Sequence, residues 1–283
     1  MRSGSPEAGP GWEDARVPEG DTIWRVAARL RPALVGREVR RFEAPRLVGP
    51  RPRTGEVVQA VDAVGKHLLV RFSSGVVVRT HLRMTGSWHL YRDGEPWRRA
   101  AHLARLVVGV DGWTAVCFSA PVVRSSVDAA DGVAHLGPDL TSPEPDLDVA
   151  VDRLGRLAEA GTCIADALLD QRVAAGIGNV YKSEVLWALR VHPRTPVAAI
   201  DPATRRGLLE RAHALLRANL GPGRRVTAPT VPGGLAVYGR SGRGCPRCGT
   251  PIVRSVVGVT ARSTYHCPRC QEPTSATDGT LRA

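Results

Sequence analysis

Apolar residues recur at helical spacing early in the chain. Ile23, Val26, Ala27, Leu30 and Leu34 fall on one face, and Asp21 or Thr22 stands where a cap is needed. Pro32 is expected to kink or shorten this helix, because its ring cannot continue the hydrogen-bond ladder. From Glu56 to Phe118 the texture changes. EVVQAVDAVG, HLLVRF, GVVVRTHL, ARLVVGV and TAVCF are short apolar runs punctuated by glycine, which predicts closely spaced strands and hence a sandwich or barrel. TSPEPDLD at 141–148 reads as linker from its prolines and acids. Helical spacing then returns at 152–160, 163–169 and 180–189, the last two separated by the stretch DQRVAAGIGN. Asp201-Pro202 is an N-cap with a first-turn proline. It opens a helix with Leu208, Leu209, Ala212, Leu215 and Leu216 inward, closed by Gly221. Residues 1–17 and 272–283 lack periodicity and read as disordered. No internal repeat is visible.

Length and charge narrow the function. The 283 residues allow two domains, or one with a large appendage, and 43% hydrophobic residues suffice for a core. No stretch approaches 18 apolar residues, so nothing is expected to span a membrane, and the first residues hold no apolar run of a secretory signal. Thirty-nine Lys and Arg against 27 Asp and Glu give a net charge of +12, with a sequence pI near 10.4. A polyanion is the natural partner of such a surface. Arginine dominates, and only Lys66 and Lys182 are lysines; a GC-rich genome that writes arginine freely is the competing explanation. Six cysteines do not make a disulfide scaffold, and the chain is expected to be cytoplasmic and nucleoid-associated.

Four of those cysteines form a pattern. Cys245-Pro-Arg-Cys248 and Cys267-Pro-Arg-Cys270 are two CxxC pairs separated by 18 residues. Two thiolates at i and i+3 on a tight turn reach one ion, and two such knuckles complete a tetrahedral Cys₄ zinc site with no position left for water, hence structural. The alternative, two disulfides, would not persist in a reducing compartment. Cys117 and Cys163 lie in apolar contexts and read as buried. His266 and the other histidines lack ligand spacing. Arg247, Arg254, Arg262 and Arg269 around the hairpin suggest phosphate contact, although zinc ribbons also serve as protein–protein modules.

PEGDTIWR at 18–25, GKHLLVRF at 65–72, HLRMTGSW at 81–88, LLDQRVAAGIGNVYKSEVLW at 168–187 and VYGRSGRGCPRCG…RSTYHCPRCQ at 237–271 occur in that order. Together they resemble the Fpg/Nei family of DNA glycosylases, on the endonuclease VIII side and of the actinobacterial Nei-like type. The resemblance implies an α+β multidomain fold: residues 18–140 as an N-terminal catalytic β-sandwich, 141–150 as linker, 151–234 as a helix–two-turn–helix domain and 235–271 as a zinc finger. It implies a bifunctional glycosylase/AP lyase of base-excision repair acting as a monomer on damaged double-stranded DNA, with single-stranded or bubble substrates left open. One structural zinc is the implied cofactor.

The family's nucleophile is an N-terminal proline, which maps to Pro18. A free secondary amine attacks the sugar C1′, displaces the base and leaves an iminium. Glu19 matches the carboxylate that protonates the opening sugar, and Lys66 the lysine of the elimination step. Arg262 matches the zinc-hairpin arginine that grips the flipped nucleotide's phosphates, and Asn179 the asparagine on backbone phosphate. Met84 aligns with the wedge that fills the gap left by a flipped base, with Arg83 and Thr85 beside it. On local grounds alone, Asn179 after Gly178 is a helix N-cap, Lys66 a surface lysine, Arg262 a hairpin-tip charge and Met84 a core residue. The Arg- and Gly-rich loop 221–234 could track phosphate.

Two departures stand out. Where the Fpg branch carries an Arg–Phe wedge, this chain reads FSAPVVRSS, which points away from 8-oxoguanine and toward oxidised pyrimidines. Pro18 also lies inside the sequence as written, where its nitrogen is an amide. Val17 offers a resolution, because a GTG codon starts translation as methionine, whose removal would expose Pro18. Without that exposure the chain is expected to be a non-catalytic binder of damaged or abasic DNA. A partner in RNA or the ribosome is a more distant rival, and it leaves Pro18, Glu19 and Lys66 unexplained.

Overall fold

The computed structural model describes residues 18–259 and 261–273. The disorder expected for 1–17, and for 274–283 of the tail, lies outside the described residues.

Helix α1 spans Gly20–Leu34. Its N-cap position is Glu19 rather than Asp21 or Thr22; Asp21 lies inside the first turn, where an acid favours the helix dipole. Pro32 falls in the last turn and does not break the helix. The apolar face anticipated from spacing is the buried one, with Ile23, Ala27, Leu30 and Leu34 inward.

Eight antiparallel strands follow: β1 (Val39–Glu43), β2 (Val58–Val64), β3 (His67–Phe72), β4 (Val77–His81), β5 (Ser87–Arg92), β6 (Ala104–Val110), β7 (Trp113–Phe118) and β8 (Val122–Ser126). They form two four-stranded sheets, ordered β2-β3-β4-β8 and β1-β6-β7-β5. Alternate residues such as Leu68, Val70 and Phe72 of the first sheet meet Leu106, Val108, Ala115 and Cys117 of the second in one core, which α1 also packs against. The result is a sandwich. Cys117 is buried as expected, and burial pushes its thiol far above the ordinary range.

The second core is helical: α2 (Leu147–Arg156), α3 (Ile164–Ala167), α4 (Asn179–Ala188) and α5 (Pro202–Ala218). Helix α2 opens at Leu147, inside the segment read as linker, because the Asp146 carboxylate accepts the Val149 N–H at 3.0 Å and caps it. Asp201 caps α5 as expected, accepting from the Thr204 N–H at 2.9 Å with Pro202 in the first turn. The β9 (Val253–Val257) and β10 (Arg262–His266) hairpin packs against α4. Nearly every side chain of α4 from Val180 to Leu186 is buried, so this short helix is surrounded rather than amphipathic.

Candidate active site

The N-terminus of α4 organises the site. Glu19 is completely buried, and its carboxylate accepts three backbone N–H groups, from Gly178 at 3.0 Å, Val180 at 2.8 Å and Tyr181 at 3.3 Å. These are donors that a helix cannot satisfy internally, and the helix dipole favours the negative charge placed on them. The cap therefore comes from a residue some 160 positions away, and Asn179 is the first helical residue, not the N-cap expected on local grounds. Gly178 is required by this approach: a Cβ there would lie 2.4 Å from the Glu19 Cδ. Pro18, half-buried, is thereby fixed one peptide bond from a rigid carboxylate.

Cations converge on the same place. Lys66 lies in the two-residue turn between β2 and β3, a turn held by the Gly65 N–H donating to the Asp139 carboxylate at 2.7 Å. Burial lowers the Lys66 ammonium from 10.5 to about 8. Glu19 opposes that shift, while Arg262 and Arg225 reinforce it, so all four charges share one field. Arg225, from the loop 221–234, forms a buried bidentate pair with Asp21 at 2.6 and 2.8 Å and stacks over the Tyr181 ring. Arg25 also reaches Asp21, and donates to the Gly223 carbonyl at 2.6 Å. The loop is thus tied down onto α1.

The zinc cluster is assembled. All four thiol sulfurs, of Cys245, Cys248, Cys267 and Cys270, lie within 4.8 Å of one another, with separations of 3.4, 3.5 and 3.9 Å. A tetrahedron with zinc–sulfur bonds of about 2.3 Å has edges of roughly 3.8 Å, so the cage fits the ion. The Trp187 indole N–H donates to the Cys245 sulfur at 3.4 Å, a contact suited to a thiolate. None of the six cysteines is in a disulfide. Cys163 is half-buried, and burial raises its thiol.

Three further contacts fasten the zinc module to α4. Arg247 donates to the carbonyls of Trp187 and Ala188 at the C-terminus of α4. The buried Glu184 carboxylate accepts the N–H groups of Ala236, Val237 and Tyr238 at 2.8–2.9 Å and the Thr227 hydroxyl, which shapes the chain leading into the finger. The buried Lys182 ammonium donates to the Asn179 side-chain oxygen, to the Thr264 hydroxyl and to the Ser263 carbonyl. Burial lowers it, too, to about 8. Asn179 and the exposed Arg262 therefore flank a single lysine.

Met84 and Arg83 lie on the turn after β4. Arg83 has a left-handed φ of 46° and donates its N–H to His81 Nδ1 at 3.1 Å. His81 can accept because burial, followed by the charges of Lys66 and Arg83, lowers it to about 4. Met84 is 60% exposed, so the core role read on local grounds does not hold. The Thr85 hydroxyl bonds the Ser119 carbonyl, placing this turn beside the start of FSAPVVRSS, whose Val122–Ser126 is strand β8. Local reading names Asp21 only as a cap and Arg225 only as part of the loop 221–234, and gives no role to Lys182 or Glu184. Lys182 carries a signal as one of two lysines in an arginine-rich chain, and Glu184 carries none.

The chain matches the Formamidopyrimidine-DNA glycosylase N-terminal domain over residues 17–121, the Formamidopyrimidine-DNA glycosylase H2TH domain over 136–228, and the zinc finger found in FPG and IleRS over 245–273. It is 43% identical over 242 residues to the Streptomyces coelicolor protein named probable endonuclease 8 2, covering 83% of this chain and 86% of that one. The chain belongs to the Fpg/Nei family. A second family member, the DNA-(apurinic or apyrimidinic site) lyase Nei2 of Mycolicibacterium smegmatis, is 37% identical over 83% of this chain and 92% of its own length. Among solved Fpg/Nei structures, the MutM (Fpg) protein of Thermus thermophilus superposes with a TM-score of 0.73 at 30% identity, over 90% of this chain and 98% of that one. The fold expected from the resemblance, β-sandwich, helix–two-turn–helix and zinc finger, is the one observed. The family carries one structural zinc, and the four cysteines here form its cage.

Proposed function

We propose that this chain is a bifunctional DNA glycosylase/AP lyase of base-excision repair that removes oxidised pyrimidines through Pro18. The observation that carries the reading is the seating of Pro18-Glu19 on the N-terminus of α4, in one electrostatic field with Lys66 and Arg262. Damaged duplex DNA is the substrate, and a cytoplasmic, nucleoid-associated location follows from it. No helix among the described residues is long and apolar enough to cross a membrane.

The chemistry follows from the groups present. The Pro18 nitrogen, as a free secondary amine, forms a bond to C1′ while the bond from C1′ to the base breaks. Glu19, one peptide bond away, takes the proton that the Pro18 nitrogen sheds and passes it to the sugar O4′ as the ring opens, so the base departs as an anion and an iminium remains. The iminium acidifies the C2′ proton. Lys66 takes it: with a pKa of about 8, roughly a tenth of the amine is neutral at pH 7, against well under one part in a thousand at 10.5. Departure of the 3′ phosphate and then the 5′ phosphate completes β,δ-elimination. Asn179 and Arg262 hold phosphates, Met84 with Arg83 fills the vacated stack, and zinc shapes the hairpin without entering the reaction. The reading FSAPVVRSS at 118–126, in place of an Arg–Phe wedge, supports pyrimidine lesions. The family match beginning at residue 17 supports a mature chain that starts at Pro18.

Borohydride trapping on a duplex with 5,6-dihydrouracil tests the proposal, comparing protein made to begin at Pro18 with the 283-residue form. A covalent adduct with the short form alone is expected. Adducts in equal yield from both forms overturn the Pro18 assignment. No adduct from the short form on this lesion or on an abasic site overturns the enzyme reading in favour of a DNA binder.

A further inference from the structure

All but two of the 39 basic residues are arginine, and one of the two lysines is buried where no substrate reaches it. Lys182 is 1% exposed on α4, and its Nζ donates to the Asn179 Oδ1 at 3.1 Å, the Thr264 Oγ1 at 2.8 Å and the Ser263 carbonyl at 3.3 Å. Three acceptors match the three hydrogens of an ammonium. A planar guanidinium fork cannot serve three divergent acceptors from one point, which explains a lysine in a chain that otherwise uses arginine.

Two consequences follow from the donor chemistry. An ammonium only donates, so the Asn179 amide must turn its oxygen toward Lys182. Its two N–H donors then face away from Lys182. The other two bonds fix β10 at the residues directly after Arg262. One buried charge therefore sets both the amide on α4 and the strand that carries the arginine.

We propose that Lys182 is a positioning residue that aligns Asn179 and Arg262 as a matched pair of phosphate donors on the DNA backbone. The inference rests on the DNA-glycosylase reading for its ligand but not on the Pro18 chemistry. The hairpin is also held to the helices elsewhere: the Val259 N–H, in its turn, donates to the Asp166 carboxylate of α3 at 2.7 Å, and Arg194, after α4, donates to the Val256 carbonyl of β9 at 2.9 Å. Loss of Lys182 should therefore misalign the pair rather than detach the hairpin.

The test is a double-mutant cycle on protein beginning at Pro18 with its zinc content verified. Binding is measured by fluorescence anisotropy on a duplex carrying a tetrahydrofuran abasic analogue. Lys182→Met and Asn179→Ala are each expected to weaken binding about tenfold, as loss of one aligned phosphate contact does. The double variant should fall well short of the product of the two single factors, because the share of the Lys182 effect that runs through Asn179 is already lost and only the share through Arg262 remains. A purely structural lysine would give factors that multiply, toward a hundredfold, and that outcome overturns the proposal, as does unchanged binding by Lys182→Met. Should Lys182→Met fail to fold, Thr264→Val cuts only the β10 side. It should then couple to Arg262→Ala and add to Asn179→Ala, and the reverse pattern overturns the inference. Failure of the parent protein to trap on abasic DNA refutes the catalytic reading while the binding cycle stays readable. A parent that binds the analogue no better than undamaged duplex overturns both.

Discussion

Glu19→Gln separates the structural role of the carboxylate from its chemistry. The Gly178 and Tyr181 N–H groups share Oε2, and the Val180 N–H takes Oε1. A glutamine has one oxygen. Whichever way its amide turns, at least one buried N–H faces an NH₂ group and loses its acceptor. An orphaned buried donor costs about 1–3 kcal/mol. Removal of the negative charge from the helix N-terminus adds about 0.3–2 kcal/mol. Glu19 is fully buried, so solvent does not screen these terms, and the sum is about 1–5 kcal/mol. At roughly 2–4 °C per kcal/mol for a chain of this size, the melting temperature should fall by about 3–20 °C. Thermal unfolding followed by circular dichroism reads the shift. Asp146→Asn is the control: it replaces a single exposed cap bond with an equally good capping residue and should move the melting temperature by under about 2 °C. If Glu19→Gln melts within a degree of the parent, the carboxylate is not the cap of α4 and the argument for a rigid Pro18-Glu19 fails.

Gly178→Ala drives a Cβ to 2.4 Å from the Glu19 Cδ and should destabilise strongly and abolish trapping. Gly207→Ala on α5, whose Cβ meets only the Leu189 side chain at 3.2 Å, should leave trapping intact; equal activity in the two variants refutes the close approach. Zinc removal by a chelator should break the contact between Trp187 and Cys245, shift the tryptophan emission and abolish lesion binding, while strand ellipticity from the sandwich persists. Lesion binding retained at zero zinc content would refute the coupling. Lys66 predicts a pH dependence of stability. Its folded pKa of about 8 lies below the unfolded value, so the cost of burying its charge is present in full below pH 8 and is relieved as pH rises toward 10.5. The stability of the parent relative to Lys66→Met, from urea denaturation, should therefore climb between pH 8 and 10, and a flat difference refutes the shift.

What the sequence made legible, and what it hid, follows from how far apart in the chain each interaction reaches. Strand runs, the Asp201-Pro202 cap and the CxxC pairs are local patterns, written within a few residues, and each stands where its spacing placed it. The helix at 180–189 was visible but its character was not. Lys182, Ser183 and Glu184 look like a solvated face, since polar residues on a helix ordinarily meet water. Here they are buried because β10, the 234–238 segment and Thr227 each bring polar groups to meet them. The cap of α4 was misassigned for the same reason. Capping preference ranks the residues adjacent to a helix, and it has no access to a carboxylate some 160 positions away. The pair of Asp21 with Arg225 spans still more of the chain.

That concealment is itself informative about mechanism. A carboxylate spent on capping, a lysine with all three protons committed and a second buried carboxylate accepting four donors leave α4 little freedom to shift relative to either neighbour. On the proposed function, the groups from the sandwich, the helices and the zinc hairpin that meet a flipped nucleotide are thereby referred to one short rigid element, and preorganisation of this kind removes the cost of assembling them when the substrate arrives. The opposite expectation holds for the turn carrying Arg83 and Met84. It is fixed at His81 and Ser119 but exposed at its tip, as the proposed entry of Met84 into a base stack requires.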